Sequence, residues 1–255
     1  MGATTAKAVP GARGRGSAAR MQARIVGFLY VLIAVLAAFG EVYVRGGMVV
    51  SADPSRTAEN ILANQQLYRV AGATDILVLA CDVAVAVLFY TLFKYVDRTI
   101  ALLAAAFRLS LVAVNGAAVL THYAPIMLLR PDKGMSAIGR EQLQALAMFS
   151  LKLHSTAFSI AIVFFGIHCV LVGYLIYRSG FLPRIFGALW VLAGTLYVTH
   201  SMLILLAAPV SGSSMDIILL VAGLSELSLA PWLLVAGLDS AKWYARTAGT
   251  AVSAG

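Results

Sequence analysis

The sequence predicts an all-α integral membrane protein, a bundle of six transmembrane helices with two short amphipathic helices on the outer side. Three observations carry that reading. The chain of 255 residues is 61% hydrophobic and only 12% charged, where a soluble domain is about a quarter charged. Its mean hydropathy is +0.89. Apolar stretches of about 20 residues recur along it, each long enough at about 1.5 Å per residue to cross about 30 Å of hydrocarbon.

The first span reads as Ile25–Tyr43. It follows a Gly/Ala-rich basic stretch, residues 1–23, expected to be a disordered tail. The apolar run is longer than a signal-peptide core and shows no convincing cleavage site, so it reads as a signal anchor. In the next connection Asp53 is a helix N-cap and Pro54 the first helical residue. Ala58, Ile61, Leu62 and Tyr68 then mark one face of the first amphipathic helix. The second and third spans, Ile76–Tyr95 and Ile100–Leu120, meet at the tight turn Lys94–Arg98. After Gly139, residues Arg140–Leu153 place Leu143, Leu146, Ala147 and Leu153 at helical spacing and form the second amphipathic helix. The fourth span is Thr156–Tyr177, and the turn Arg178–Arg184 after it contains the breakers Gly180 and Pro183. Spans five and six are Ile185–Ala207 and Ile217–Leu238, with residues 240–255 expected as a disordered tail. The bundle thus occupies residues 24–239 with no soluble domain, and no internal repeat favours an inverted-repeat transporter.

The formal net charge is +8. Its distribution fits membrane topology and excludes nucleic acid as a partner. Lys7, Arg13, Arg15, Arg20 and Arg24 precede the first span, and Lys94, Arg98, Arg178, Arg184, Lys242 and Arg246 fall on the same side of a six-span bundle. The opposite side has fewer basic residues over longer loops. The positive-inside rule then places both termini in the cytoplasm, in a multi-pass protein of the cell membrane. Cys81 and Cys169 lie inside spans as small apolar residues, with no CxxC and no disulfide framework.

Function should lie where ionisable groups interrupt the spans, because such groups in a bilayer must face protein, pair, or line water. Arg108, Asn115 and His122 stand seven apart, two helical turns, and so share one face. Asp75 and Asp82 have the same spacing on the preceding span. About the turn at Tyr95, Asp82 is as far back as Arg108 is forward. The same symmetry relates Asp75 to Asn115 and Tyr68 to His122. The expectation is an Asp82–Arg108 pair near mid-bilayer, with Asp75 close to Asn115. Glu41 and Arg45 are four apart near the outer end of span one. His122 and His154 flank the outer ends of spans three and four, His200 lies in the outer part of span five, and His168 is deeper in span four. Glu226 sits mid-span between Ser225 and Ser228 with no charged neighbour in sequence, in surroundings that favour the neutral acid. These groups concentrate in the outer half, which predicts one shared polar cavity open to the outside above an apolar floor.

Residues of the chain resemble the bacterial membrane-protein family catalogued as domain of unknown function 4386, over roughly Arg24 to Tyr197. The likeness rests on Arg24-Ile25-Val26-Gly27-Phe28-Leu29-Tyr30, Glu41 with Val44-Arg45, Thr57-Ala58-Glu59-Asn60-Ile61, Asp75, Phe107-Arg108-Leu109, Gln142-Leu143-Gln144-Ala145-Leu146 and His154. Its most distinctive stretches are Val163-Phe164-Phe165-Gly166-Ile167-His168 and Gly173-Tyr174-Leu175-Ile176-Tyr177-Arg178-Ser179-Gly180-Phe181-Leu182-Pro183-Arg184. The resemblance implies a small multi-span bundle and brings no established activity.

The leading functional expectation is a membrane-embedded enzyme acting on a lipophilic small molecule, in its concrete form a protonation-started isoprenoid (terpene) cyclase. Glu226, Asp75, Asp82 and Glu41 would be its candidate acids. Arg108, Asn115, His122, His154, His168, His200 and Arg45 would bind or orient the substrate, and aromatic faces would steady a cation. The chain is similar to small integral-membrane terpene cyclases only in that general design. No metal and no cofactor is expected: the histidines lack HxxxH or HExxH spacing, and there is no aspartate-rich, P-loop, GxSxG or dinucleotide motif. The alternatives are a small-solute or proton transporter or binding protein, gated by Asp82–Arg108, and a non-catalytic membrane subunit. Membrane lipid is the expected surrounding partner, and the sequence leaves the oligomeric state open.

Overall fold

In the computed structural model, residues 12–130, 137–209 and 211–252 are described, with side chains from residue 16 to residue 248 within those ranges. The helices are α1 (Ala12–Ala38), a wider π-type segment (Phe39–Arg45), α2 (Gly46–Met48), α3 (Pro54–Ala63), α4 (Gln65–Phe93) and α5 (Arg98–Leu129). They continue as α6 (Arg140–Ser179), α7 (Arg184–Leu205), α8 (Gly212–Leu227), α9 (Leu229–Val235) and α10 (Ser240–Val252). There is no strand among the described residues. Six helical stretches are long and apolar enough to cross a membrane: Gly16–Met48, Gln65–Phe93, Arg98–Leu129, Arg140–Ser179, Arg184–Leu205 and Gly212–Val235.

Each spanning helix packs on its neighbour in sequence, and α1 lies against both α4 and α9, so the neighbours close into a ring. Val85, Phe89, Phe93, Cys169, Val172 and Trp190 fill the centre. Val35, Val87, Leu120 and Val235 are exposed on the outside, the apolar surface that a lipid-facing helix presents. Close approach of α6 to α7 depends on glycine. A Cβ on Gly166 would lie 2.7 Å from the Gly194 carbonyl oxygen, and one on Gly173 would lie 2.7 Å from that of Gly187. Small residues at this spacing let two helix backbones touch, and dispersion between them replaces the hydrophobic effect that lipid cannot supply.

The bundle has two distinct ends. At the terminal end, α10 lies against the 94–97 and 180–183 turns: Trp243 Nε1 donates to the Leu92 carbonyl at 3.2 Å, and Asp239 N donates to that of Phe181 at 3.0 Å. At the far end Asp53 caps α3 by accepting from Arg56 N at 2.9 Å, with Pro54 first in the helix, as its sequence predicts. Thr57 and Asn60 then tie α3 back to the carbonyls of Val50 and Met48.

Four local expectations differ from the structure. The helix Arg140–Leu153 is no separate surface element; it is the start of the 40-residue α6. Nothing between Gly139 and Gly166 breaks a helix, so polar-faced and apolar parts run on as one rod about 60 Å long. Tyr68 belongs to α4 rather than to the face of α3, because the chain leaves α3 at Asn64. The described part of the basic tail is helical from Ala12, and residues 240–252 form α10; residues 1–11 and 253–255 lie outside the described residues. Finally, the sixth span is interrupted at Ser228. Pro231 has no N–H to give the Leu227 carbonyl, so the ladder breaks just after Glu226.

Candidate functional site

Two polar clusters lie between the helices at different depths. The inner one is built on Arg108 of α5, which is 1% exposed. Its Nε and Nη2 donate to Asp82 Oδ1 of α4 at 3.1 and 2.5 Å. Its Nη1 donates to the Tyr30 hydroxyl of α1 and to His168 Nε2 of α6, the latter at 3.1 Å. His168 is therefore the neutral tautomer with its proton on Nδ1, which donates to the Ala104 carbonyl at 2.8 Å. The guanidinium also lies over the rings of Tyr30 and Phe165, at 4.8 and 5.5 Å. Nearby, Tyr197 donates to Glu226 Oε2 at 2.8 Å, and Trp190 Nε1 to the Glu226 carbonyl at 3.1 Å.

The outer cluster is built on Arg45. Its Nη1 and Nη2 clasp Asp75 at 2.8 and 3.0 Å, and Nη2 also donates to Glu41 Oε1 at 2.7 Å. Nη1 donates to His122 Nδ1 at 3.1 Å. His122 Nε2 then holds the proton, donating to the Tyr68 carbonyl at 3.0 Å, while the Tyr68 hydroxyl returns a bond to the His122 carbonyl at 2.8 Å. The two rings stack with centroids 4.2 Å apart. The wide turn at Phe39–Arg45 gives Glu41 and Arg45 a common direction, and π-type turns of this kind recur at functional sites. Gly40 leaves room for the clasp: a Cβ there would sit 3.0 Å from Arg45 Nη2 and 3.1 Å from Asp75 Oδ1.

Two adjoining cavities open beside the outer cluster. The deeper, about 60 Å³, is lined by Glu41, Asp75, Asn115, His154, Leu79 and Val119 among others. The wider, about 310 Å³, is lined by Glu41, Arg45, Met148, Lys152, His154 and Phe158 among others. Glu41, His154 and Phe158 border both. Glu41 is the accessible carboxylate, its side chain 34% exposed against 15% for Asp75. His154 donates from Nδ1 to the Ala118 carbonyl at 2.9 Å. Its Nε2 is buried without a hydrogen-bond partner, 3.6 Å from Glu41 Oε1. With His122 neutral, two carboxylates, Glu41 and Asp75, share the one Arg45 guanidinium, and Lys152 stands on the wall of the wider cavity.

The expected Asp82–Arg108 pair is present, and Asp75 and Asn115 share a cavity wall. The expected single pocket divides. Asp75, Glu41, Arg45, Asn115, His122 and His154 meet at the far end, whereas Asp82, Arg108, His168 and Glu226 belong to the inner cluster and border neither far-end cavity. His200 joins neither group and is half-buried on α7. No group of three or more metal-ligand side chains converges among the described residues, and both His122 nitrogens are already engaged. The Arg45–Asp75 clasp and the part of Tyr30 were not legible. Each joins residues far apart in sequence with no periodic relation, and the only local sign was Gly40 beside Glu41.

The architecture and its buried ion pairs define a polytopic helical membrane protein with a polar cavity at one end. The chain belongs to the family described as domain of unknown function (DUF4386), whose model matches residues 25–237. Over 142 residues it is 30% identical to a protein of Archaeoglobus fulgidus named "Uncharacterized protein", a match covering 54% of this chain and 67% of that one. No solved structure matches the chain.

Proposed function

We propose that this membrane protein acts through the far-end cavity, on a lipophilic small molecule that carries a cationic or hydrogen-bond-donating head. The observation that carries the reading is the accessible Glu41 carboxylate beside the unpartnered His154 Nε2, on walls that add Asp75 and Asn115 to the apolar Leu79, Val119 and Phe158. A donating head meets the Glu41 carboxylate there, with His154 Nε2 behind it, and an apolar body meets the apolar part of the walls, the usual division of labour in a small-molecule site. Both termini are cytoplasmic in this reading, so the cavity opens to the outside.

Purified protein titrated with dodecylamine, dodecanol and dodecanoate tests it. The amine binds best, Glu41→Gln weakens it about tenfold or more, and dodecanoate is excluded. Equal binding of amine and carboxylate, or an unchanged affinity in Glu41→Gln, overturns the proposal.

A catalytic form is favoured by one geometric fact: His154 Nε2 and Glu41 Oε1 lie 3.6 Å apart at the cavity wall, so a small closure lets the imidazole exchange a proton with the carboxylate, which presents it to a bound group. It requires that a membrane-lipid extract incubated with the reconstituted protein gain a product that His154→Gln does not make. Protonation-started isoprenoid cyclisation is a narrower form and draws little from the site. Arginines hold Asp82, Asp75 and Glu41 as ion pairs, and Glu226 borders neither cavity.

A further inference from the structure

The terminal end carries a basic concave surface. A cavity of about 620 Å³ is lined by Arg178, Ser179, Gly180, Arg184, Lys242 and Arg246 among others. Its cations come from three elements: the last turn of α6, the first residue of α7, and α10, where Lys242 and Arg246 stand four apart on one face. Gly180, at φ 75°, makes the reversal that brings Arg178 and Arg184 together. The placement of α10 is fixed by the Trp243 and Asp239 bonds and by Arg246 Nη2, which donates to the Arg178 carbonyl at 2.7 Å. Asp239, 3.5 Å from Lys242 Nζ, pairs with that lysine. Its bond from the Lys242 amide holds that carboxyl below the ordinary aspartate range, so it offsets a single charge. Arg178 and Arg184 leave a positive surplus in a concave surface, where facing charges reinforce their common field.

Beside the cavity, the Arg178 guanidinium lies 5.7 Å from the Tyr174 ring centre and that of Arg184 lies 5.5 Å from the Tyr177 ring centre. Tyr174, Tyr177 and Ile185 are exposed on the outer surface of the bundle. Exposed tyrosines flanked by arginines mark the level of lipid headgroups. On the other side of α10, Arg20 and Arg24 line a further concave surface.

We propose that the basic cavity between the α6–α7 turn and α10 binds the phosphate of an anionic phospholipid, with the acyl chains lying along Tyr174, Tyr177 and Ile185. Guanidinium groups suit this ligand because their planar donors match phosphate oxygens in pairs. The alternative, four separate topology charges, leaves unexplained why α10, about 60 residues further along the chain, brings Lys242 and Arg246 to the same concave surface as Arg178 and Arg184, beside an apolar wall.

Native mass spectrometry of detergent-solubilised full-length protein tests this with dioleoyl phosphatidylglycerol, dioleoyl phosphatidylcholine and inorganic phosphate. Phosphatidylglycerol is retained in preference to phosphatidylcholine. The double variant Arg178→Gln, Arg184→Gln weakens its binding about thirtyfold, as removal of two surface charges at about 1 kcal/mol each implies. Competition by millimolar inorganic phosphate would move the assignment from lipid to free phosphate and overturn the lipid. Equal retention of the two lipids, or undiminished retention by a folded double variant, overturns the site itself. Should that variant not fold, Lys242→Gln replaces it, its side chain being 66% exposed; a loss of about fivefold or more supports the site and no loss overturns it.

Discussion

Arg45 and Arg108 solve one problem in the same way. Each guanidinium buries five N–H donors, and each meets an aspartate of α4 and the lone pair of a neutral histidine, whose other nitrogen donates to a neighbouring helix's backbone. The aspartates, Asp75 and Asp82, are two turns apart, so α4 presents both clusters on one face. The histidines act here as hydrogen-bond relays fixing arginine orientation, which suits their burial better than metal binding does. Because Arg108 has no accessible side, its removal leaves Asp82 charged and unpaired, along with the lone pairs of Tyr30 and His168. Arg108→Met is expected to cost about 3–5 kcal/mol, the range for breaking a buried pair. Arg108→Lys recovers only part, since a point charge on a flexible stem cannot reach all three partners. Thermal unfolding in detergent measures both, and a lysine variant as stable as the wild type would contradict this account of the hub. Arg45→Met should cost less, because Glu41 beside it is partly hydrated and screened.

At the scale of the element, what reads from sequence is what repeats. The Asp82–Arg108 pairing across α4 and α5 was legible because one tight turn makes depth a matter of counting from Tyr95; the same count set Tyr68 level with His122, although Tyr68 read as part of α3. The continuity of α6 was masked by the change from mixed to apolar composition near Thr156, although no breaker stands there. The helices at the two termini were missed because Gly/Ala-rich sequence reads as flexible until a partner is known, and Trp243 finds one in Tyr95 and Leu92. The α6–α7 contact makes a sharp prediction. Gly194 opposes Gly166 with no room for a side chain, whereas a Cβ on Gly47 would meet nothing within 4 Å. Gly194→Leu should force the helices apart and remove most folded protein from the membrane. Gly47→Ala should be nearly silent, and fluorescence-detected size exclusion separates the two. A monodisperse, wild-type-like Gly194→Leu would show that α6 and α7 do not touch there.

At the scale of the whole molecule, polarity is divided between the ends of the bundle. The far end has a partly exposed carboxylate, Glu41, at a cavity wall; the terminal end has guanidinium groups on both sides of α10. An anionic inner leaflet would hold the terminal end by charge and leave the far-end cavity facing outward. An even number of crossings keeps residue 20 and residue 242 on one side, with α3 on the other. Cysteine accessibility tests this directly, because Cys81 and Cys169 are buried and give little background. Lys242→Cys and Glu59→Cys each place a thiol at an exposed position. In intact cells a membrane-impermeant maleimide should label residue 59 and leave residue 242 unlabelled until the membrane is opened. The reverse pattern would place the cavity on the cytoplasmic side, and its ligand would then have to come from within the cell. Labelling of both in intact cells would show that the chain does not cross the membrane an odd number of times between α3 and α10, against the six-span fold itself.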